Sequence, residues 1–131
     1  MANTILGSQL DSSPRRKMFS LYLAGPMTGL SEFNYPAFNR VAKQLRDFGF
    51  YVVNPAELSP TTDQSWEYYM KITIAGMVTC DGIFLLNGWE ASRGARIEDN
   101  LARSLAMPRM FESDFFPKNP GVIDNGTAKP R

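Results

Sequence analysis

The feature that most constrains the fold is the stretch from Cys80 to Pro108, which reads as a strand, a loop and a helix in succession. Ile83–Leu86 is a short, unbroken apolar run, typical of a strand buried on both faces. The polar loop Asn87–Gly94 leads into a predicted helix at Ala95–Ala106. In a parallel sheet, ligands bind beyond the carboxyl ends of the strands, so we expect this loop to contact a ligand. The loop residues assigned to binding are Asn87, Trp89, Ser92, Arg93 and Gly94.

Strands and helices alternate along most of the chain. Apolar runs and helical periodicity predict strands at Met18–Ala24, Phe50–Val53 and Arg109–Phe111, and helices at Asn34–Phe48 and Ser65–Thr79. This alternation favours an α/β domain, a three-layer Rossmann-like or flavodoxin-like fold with a small parallel sheet of four or five strands. We expect residues 18–111 to form this domain. Residues 1–17 are expected to be a disordered arm and residues 112–131 a C-terminal tail.

The first two predicted helices carry apolar stripes. Asn34 is expected to cap the first helix and Pro36 fits its first turn. The core-facing residues of this helix are Phe38, Val41, Ala42, Leu45 and Phe48. The second stripe is interpreted as core and not as a cofactor site; it consists of Trp66, Met70, Thr73 and Met77. The loop between strand two and this helix, ending at about Gln64, is long enough to be a lid.

A carboxylate interrupts the apolar stripe of the third helix. Glu98 shares one face with Leu101, Ala102 and Leu105, at the spacing i, i+3, i+4 and i+7. A partly dehydrated but ionised carboxylate is a competent nucleophile or base. The alternative is a first-turn glutamate that complements the helix dipole with its carboxylate in water. The pattern alone leaves both interpretations open.

The exit of the first strand is the second candidate ligand contact. Gly25 and Gly29 flank Pro26, Met27 and Thr28, and a glycine at this place lets a ligand approach the backbone closely. Free N–H groups in such a turn can bind a phosphate. The fuller phosphate signatures GxGxxG and GxxxxGK[ST] are absent, so neither a dinucleotide fold nor a P-loop ATPase is supported.

Composition removes several function classes. The 14 Lys and Arg residues nearly balance 13 Asp and Glu residues, which argues against a nucleic-acid partner, and the basic run at residues 15–17 is interpreted as a solvated segment. The chain has no histidine and one cysteine, Cys80, interpreted as a buried structural thiol, so we predict no metal and no cofactor. The single cysteine fits a cytoplasmic location, and no apolar run approaches 18 residues, so we predict no membrane partner. Asp81 precedes strand three, on the edge away from the ligand, and is not counted as catalytic.

Three motifs resemble the nucleoside 2-deoxyribosyltransferase-like superfamily. They are Tyr22–Gly29 at the first strand, Trp66–Glu67 at the second helix and Leu86–Glu98 across the third strand-to-helix loop. The closest likeness is to a branch of short proteins frequently encoded by bacteriophages, which would place the protein in the host cytoplasm. The resemblance covers roughly residues 18–110. It implies cleavage of an N-glycosidic bond, because some relatives cleave this bond in deoxynucleosides. Others, the 2′-deoxynucleoside 5′-phosphate N-hydrolases, cleave it in nucleotides.

The resemblance also implies roles for individual residues. Glu98 matches the nucleophilic glutamate, ten residues before Pro108, and Tyr22 matches the tyrosine that orients it. Ser92 matches a serine of the nucleotide hydrolases, where the nucleoside transferases have an aspartate. Ser92, Gly94 and the loop Gly25–Thr28 are expected to bind the sugar and the phosphate. Arg93 or Arg96 could add positive charge.

One position departs from the relatives. Thr73 stands where they carry an aspartate that protonates the departing base, so Glu67, Glu90 or a neighbouring subunit would have to act as the acid. The leading prediction is therefore a nucleotide N-glycosidase or glycosyl transferase. The alternatives are a nucleotide-binding protein that has lost turnover and a structural or partner-binding domain. A homodimer or a larger homo-oligomer is expected, with a small-molecule nucleotide or nucleoside as ligand.

Overall fold

A computed structural model describes residues 18–58 and 65–116, which form four strands and four helices. The predicted arm, the distal part of the predicted lid loop and the tail beyond Phe116 lie outside the described residues. The elements, in chain order, are β1 (Ser20–Ala24), α1 (Tyr35–Asp47), β2 (Tyr51–Val53), α2 (Trp66–Met77), β3 (Gly82–Leu85), α3 (Arg93–Ser104), β4 (Arg109–Phe111) and α4 (Glu112–Phe115). Short 3-10 turns precede α1, follow β2 and follow β3.

The four strands form one parallel sheet in the order β2-β1-β3-β4. The two central strands are buried along their whole length, because helices cover both faces of a sheet built from βαβ units. The chain leaves β1 toward one face and β3 toward the other, so a crevice opens between their carboxyl ends. The predicted three-layer α/β fold with a small parallel sheet is confirmed.

Alternation along β1 divides the core in two. Leu21 and Leu23 point to the face covered by α1, where Phe38, Val41, Ala42 and Leu45 are buried as predicted. Tyr22 and Ala24 point to the opposite face, against α2 and α3. The site residue Tyr22 therefore lies inside the second apolar cluster, where polar atoms must find partners in the protein.

The segment after β4 packs on the first cluster. The rings of Phe115 and Phe116 lie 5.4 and 6.3 Å from the ring of Phe84, so this pair packs on the body of its own chain. The carboxylate of Glu112, which is buried, accepts hydrogen bonds from Arg40 on α1 and from the backbone N–H of Asn87 after β3. These contacts hold the end of β3 to two other elements.

A buried ion pair connects α3 to the edge strand β4. Both carboxylate oxygens of Asp99 accept from the guanidinium of Arg109, at 2.8 and 3.1 Å, and Asp99 is only 2% exposed. A second arginine, Arg103, lies 3.5 Å from the same carboxylate but is largely in solvent. Because Asp99 follows Glu98 directly, this pair also fixes the segment of α3 that carries the candidate nucleophile.

Several predicted details of the helices are wrong. Phe48 is 68% exposed because α1 ends at Asp47 and the chain turns at Gly49. Leu105 is exposed because α3 ends at Ser104. The side chain of Asn34 does not cap α1: Asn34 has a left-handed backbone, with φ of 60°, and its amide donates to the carbonyl of Pro26. Cys80 is partly buried, not fully enclosed.

Within residues 18–58 and 65–116, no helix is long and apolar enough to cross a membrane.

We predict that Arg109→Met lowers the free energy of unfolding by about 3 kcal/mol, because it leaves the buried carboxylate of Asp99 without its bidentate partner. Urea denaturation at pH 7 measures this loss. The matched control is Arg103→Met, which removes the other arginine on the same carboxylate. Arg103 is 55% exposed, so its removal should cost no more than about 1 kcal/mol. Equal losses in the two variants would contradict this account.

Candidate functional site

A cavity of about 510 Å³ opens at the carboxyl ends of β1 and β3. Its position agrees with the general rule for open parallel sheets, since the chain leaves these two strands toward opposite faces. Residues of β1 and its exit loop, α1, α2, and the start of α3 line it: Tyr22, Leu23, Gly25, Pro26, Met27, Thr28, Phe38, Pro55, Trp66, Tyr69, Met70, Ala91, Ser92, Arg93, Gly94, Ala95 and Glu98. Nine of the eleven residues predicted for the site are among them.

Glu98 provides the one carboxyl group among the described residues that line the cavity. It lies in the second turn of α3 and is 5% exposed, so the alternative of a first-turn glutamate in water is wrong. The helix begins at Arg93, two residues before the predicted start. The hydroxyl of Tyr22 donates to Oε2 of Glu98 at 2.6 Å, and Oγ1 of Thr73 lies 3.1 Å from the same oxygen. Among the described residues, no group donates to Oε1.

Burial dominates the electrostatics of this group. It raises the pKa of Glu98 to about 7, although the hydrogen bonds with Tyr22 and Thr73 act in the opposite direction. Burial and the adjacent carboxylate also raise the pKa of Tyr22 well above its ordinary value, so Tyr22 remains a hydrogen-bond donor. At neutral pH both protonation states of Glu98 are populated, and the ionised state has one lone-pair-bearing oxygen available to the cavity.

The loop after β1 supplies backbone to the cavity. A Cβ atom at Gly25 would lie 2.8 Å from Cβ of Leu86, so this position accepts only glycine without a backbone shift. The carbonyl of Pro26 is held by Asn34, which ends a run of three left-handed residues with φ of 52°, 53° and 60°. Such conformations cost about 1 kcal/mol each for residues other than glycine, so surrounding contacts must stabilise this turn.

The start of α3 brings polar and cationic groups to the same cavity. Oγ of Ser92 accepts from the N–H of Ala95 and caps the helix, which leaves its own proton available to donate. The guanidinium of Arg93 lies 4.1 Å from the ring centroid of Trp66. No carboxylate of the described residues forms an ion pair with Arg93. A helix N-terminus with a hydroxyl donor and a cation that forms no ion pair within the described part of the chain suits an anion.

A family model described as a domain of unknown function (DUF4406) matches residues 19–111. The chain belongs to the DUF4406 family. The matched range contains all four strands and every residue that lines the cavity, so the family's shared sequence includes the whole candidate site. No curated protein matches the chain.

Within this DUF4406 domain, two of the predicted binding residues do not line the cavity. The backbone of Asn87 is held by Glu112, and the ring of Trp89 packs toward Phe111, 6.4 Å between centroids. Both residues belong to the turn immediately after β3, whereas the cavity is bordered by the part of the loop from Ala91 onward. Arg96 is also directed elsewhere, to the carbonyl of Glu90.

Several cavity residues, above all on α2, were not predicted from the sequence. Tyr69 lines the cavity, and its hydroxyl donates to the carbonyl of Pro55 at 3.0 Å. Trp66 and Met70, which were interpreted as core, line it as well. The signal for Trp66 was its place in the resembling motif, but an aromatic stripe alone does not distinguish a cavity wall from a core. Glu67 and Glu90, the proposed substitutes for the missing acid, are exposed and outside the cavity lining.

Among residues 18–58 and 65–116, no three acidic or cysteine side chains converge to hold a metal ion.

We predict that Glu98 makes the domain less stable as the pH rises. The folded protein keeps a proton that the unfolded chain loses at its ordinary pKa of 4.5, so the free energy of unfolding falls between pH 4.5 and about 7. Glu98→Gln should remove about 2–3 kcal/mol of the fall between pH 5 and pH 8, measured by urea denaturation at each pH.

The control for this experiment is Glu57→Gln. The hydrogen bond from Arg46 lowers the pKa of Glu57, so its stabilisation is present above its unfolded pKa and is lost as the pH falls. Glu57→Gln should therefore lower the free energy of unfolding by a constant amount between pH 5 and 8 and change the slope of the curve only at acidic pH. A Glu98→Gln variant whose curve parallels that of the wild type between pH 5 and 8 would show that Glu98 ionises normally.

Proposed function

We propose that the protein cleaves the N-glycosidic bond of a nucleoside 5′-monophosphate, passing the sugar to water or to a second base, with Glu98 as the nucleophile. The observation that carries the proposal is the environment of the Glu98 carboxylate, that is, its hydrogen-bond partners and its position in the cavity lining. One oxygen, Oε2, lies within hydrogen-bond distance of two hydroxyl groups, and the side chain lines a cavity of about 510 Å³ that the cationic side chain of Arg93 also lines. A buried carboxylate in its ionised form is a competent nucleophile toward a carbon that develops positive charge.

In the first step, Oε1 of Glu98 attacks the anomeric carbon. The bond from that carbon to the base nitrogen breaks, its electron pair leaves with the base, and a glycosyl ester forms on Glu98. In the second step the oxygen of water, or the nitrogen of another base, bonds to the same carbon and the ester bond breaks. The carboxylate is regenerated, and the proton of the incoming water neutralises the released base.

The start of α3, which borders the cavity, suits a 5′-phosphate. The hydroxyl of Ser92, the N-terminal N–H groups of α3 and the guanidinium of Arg93 are donors without an internal carboxylate partner among the described residues. Charge-assisted hydrogen bonds of this kind are shorter and stronger than neutral ones. Gly25 lines the cavity on the side of β1, so a sugar bound in the cavity would lie beside the backbone of this loop.

Protonation of the departing base is the weak step of this proposal. Thr73 is buried beneath Glu98 and does not line the cavity, and no second carboxyl group of the described residues lines it. Tyr69 is a hydroxyl group on the cavity wall, but it donates to the carbonyl of Pro55 and burial raises its pKa above the ordinary value, so it is a poor acid for the base. General acid catalysis typically contributes ~10²–10⁴-fold, so we expect slow turnover unless the base is a good leaving group.

The family supports the proposal at the level of resemblance. DUF4406 is related to nucleoside 2-deoxyribosyltransferase-like proteins. In that superfamily, the glutamate matched by Glu98 is the nucleophile and the tyrosine matched by Tyr22 orients it. The contact between these two side chains is consistent with those roles.

The absence of a second carboxyl group from the described cavity lining favours one alternative, a nucleotide-binding protein without turnover. Such a protein would be stabilised by a monophosphate through mass action and would leave the ligand intact. A thermal-shift screen of nucleosides and monophosphates, followed by chromatography for free base, separates the two functions. The expected homo-oligomer, in which a neighbouring subunit could supply the acid, stays a prediction.

We predict that monophosphate cleavage depends on ionised Glu98. Release of free base should rise with pH, reach half its maximum near pH 7 and level off about one pH unit higher, because the carboxylate is the reactive form. Glu98→Ala should abolish release, while Asp47→Ala, which removes an exposed carboxylate at the end of α1, should leave it unchanged. Base release that continues at the wild-type rate in Glu98→Ala would remove Glu98 from the mechanism.

We predict that Ser92 selects for the phosphate. Aspartate and asparagine both cap helices about as well as serine, so Ser92→Asp and Ser92→Asn keep the start of α3 and differ by one charge. Ser92→Asp should weaken monophosphate binding at least about tenfold relative to Ser92→Asn, since a carboxylate repels the phosphate. Calorimetric titration with a monophosphate and with its nucleoside checks this, and the nucleoside should distinguish the two variants much less. Equal affinities for the monophosphate would mean that it binds elsewhere.

A further inference from the structure

The hydroxyl group of Thr73 has two possible acceptors beneath the cavity floor. Oγ1 lies 3.1 Å from Oε2 of Glu98 and 3.2 Å from the carbonyl oxygen of Met70, one turn earlier in α2. Thr73 is fully buried, so water does not compete for either contact. A hydroxyl group has one proton and two lone pairs, so Thr73 can donate to only one of these oxygens at a time.

The two arrangements match the two protonation states of Glu98. When Glu98 is ionised, Oε2 accepts from Thr73 and from Tyr22. When Oε2 carries a proton, that proton can be donated to Oγ1 of Thr73, whose own proton then turns to the carbonyl of Met70. In both arrangements the buried oxygen atoms have partners, as buried polar groups require. Both states occur at neutral pH, since burial raises the pKa of Glu98 to about 7.

We propose that Thr73 is a positioning residue whose hydroxyl reverses its hydrogen bond as Glu98 gains or loses a proton, so that Oε2 stays fixed and Oε1 stays available to the cavity. The proposal rests on the proposed function in taking Glu98 as the nucleophile. In that reaction Oε2 becomes the carbonyl oxygen of the glycosyl ester, and Thr73 and Tyr22 remain its donors. When the ester breaks, negative charge returns to an oxygen that two hydroxyl groups already face.

This role explains why a residue unable to act as an acid is compatible with a site here. The other groups that face Glu98 are the phenol of Tyr22 on β1 and, across the cavity wall, the phenol of Tyr69 on α2. Arg93 borders the same cavity from the start of α3, while Asp99 is engaged by Arg109. No carboxylate of the described residues competes with Glu98 for the proton, so its ionisation is set by burial and by two hydroxyl groups.

The test is the titration of Glu98 in the resting protein, followed by NMR of the ¹³C-labelled side-chain carboxyl group without any substrate. Thr73→Val keeps the shape and removes the hydroxyl, so the midpoint should rise by about one pH unit, because the hydrogen bond lost from the charged form is stronger than the one lost from the neutral form. Thr73→Ser keeps the hydroxyl and should titrate like the wild type. If Thr73→Val does not fold, Thr73→Ala removes the same donor and should show the same rise.

An unchanged midpoint in Thr73→Val or Thr73→Ala would overturn the proposal, because the proton of Thr73 would then stay on the carbonyl of Met70 in both states. A rise in Thr73→Ser equal to that in Thr73→Val would also overturn it, since packing and not the hydroxyl would be responsible. The measurement uses no substrate, so it separates this inference from the proposed reaction. A protein that shows no cleavage of any nucleotide can still show the expected titration.

Discussion

The hydrogen bond from Tyr22 to Glu98 is the interaction on which the site depends. It joins the central strand β1 to helix α3 across 76 residues of sequence, at 2.6 Å, within an otherwise apolar cluster. Neither side chain could be buried there alone, since an unpartnered phenol or carboxylate in such surroundings is costly. Thr73 brings α2 to the same oxygen. Three elements that are distant in the chain therefore meet at one atom, and the cavity opens directly above it.

The buried carboxylate of Glu98 lowers the stability of the domain when it is ionised. The burial that raises the pKa of Glu98 penalises its ionised form, which is the form that the proposed reaction needs. The rest of the domain compensates through well-packed contacts on both faces of the sheet and through the ion pairs of two buried carboxylates, Asp99 with Arg109 and Glu112 with Arg40. This distribution is common in functional sites, where local cost is balanced by the surrounding fold.

The strands and the buried helix faces could be predicted from the sequence, but the ends of the helices could not. Period-2 and period-3.6 patterns depend on burial over several residues, so they identified all four strands and the inward faces of α1 and α2. Helix ends depend on a few local contacts: the cap by Ser92 starts α3 two residues early, and the left-handed turn at residues 32–34 replaces the expected cap. The pairing of Tyr22 with Glu98 and the position of Tyr69 on the cavity wall depend on contacts between elements that are distant in the sequence. Only the family resemblance anticipated the first, and nothing in the pattern anticipated the second.

The adjacent acidic residues Glu98 and Asp99 have a consequence for the helix as a rigid body. Successive side chains on an α-helix point about 100° apart, so one of them is directed at β1 and α2 while the next is directed at β4. Contacts on two different sides of α3 prevent the helix from rotating about its own axis. The phase of α3 about its own axis is therefore set by two carboxylates with different partners, and a roll that released Arg109 would also carry the candidate nucleophile away from the cavity floor.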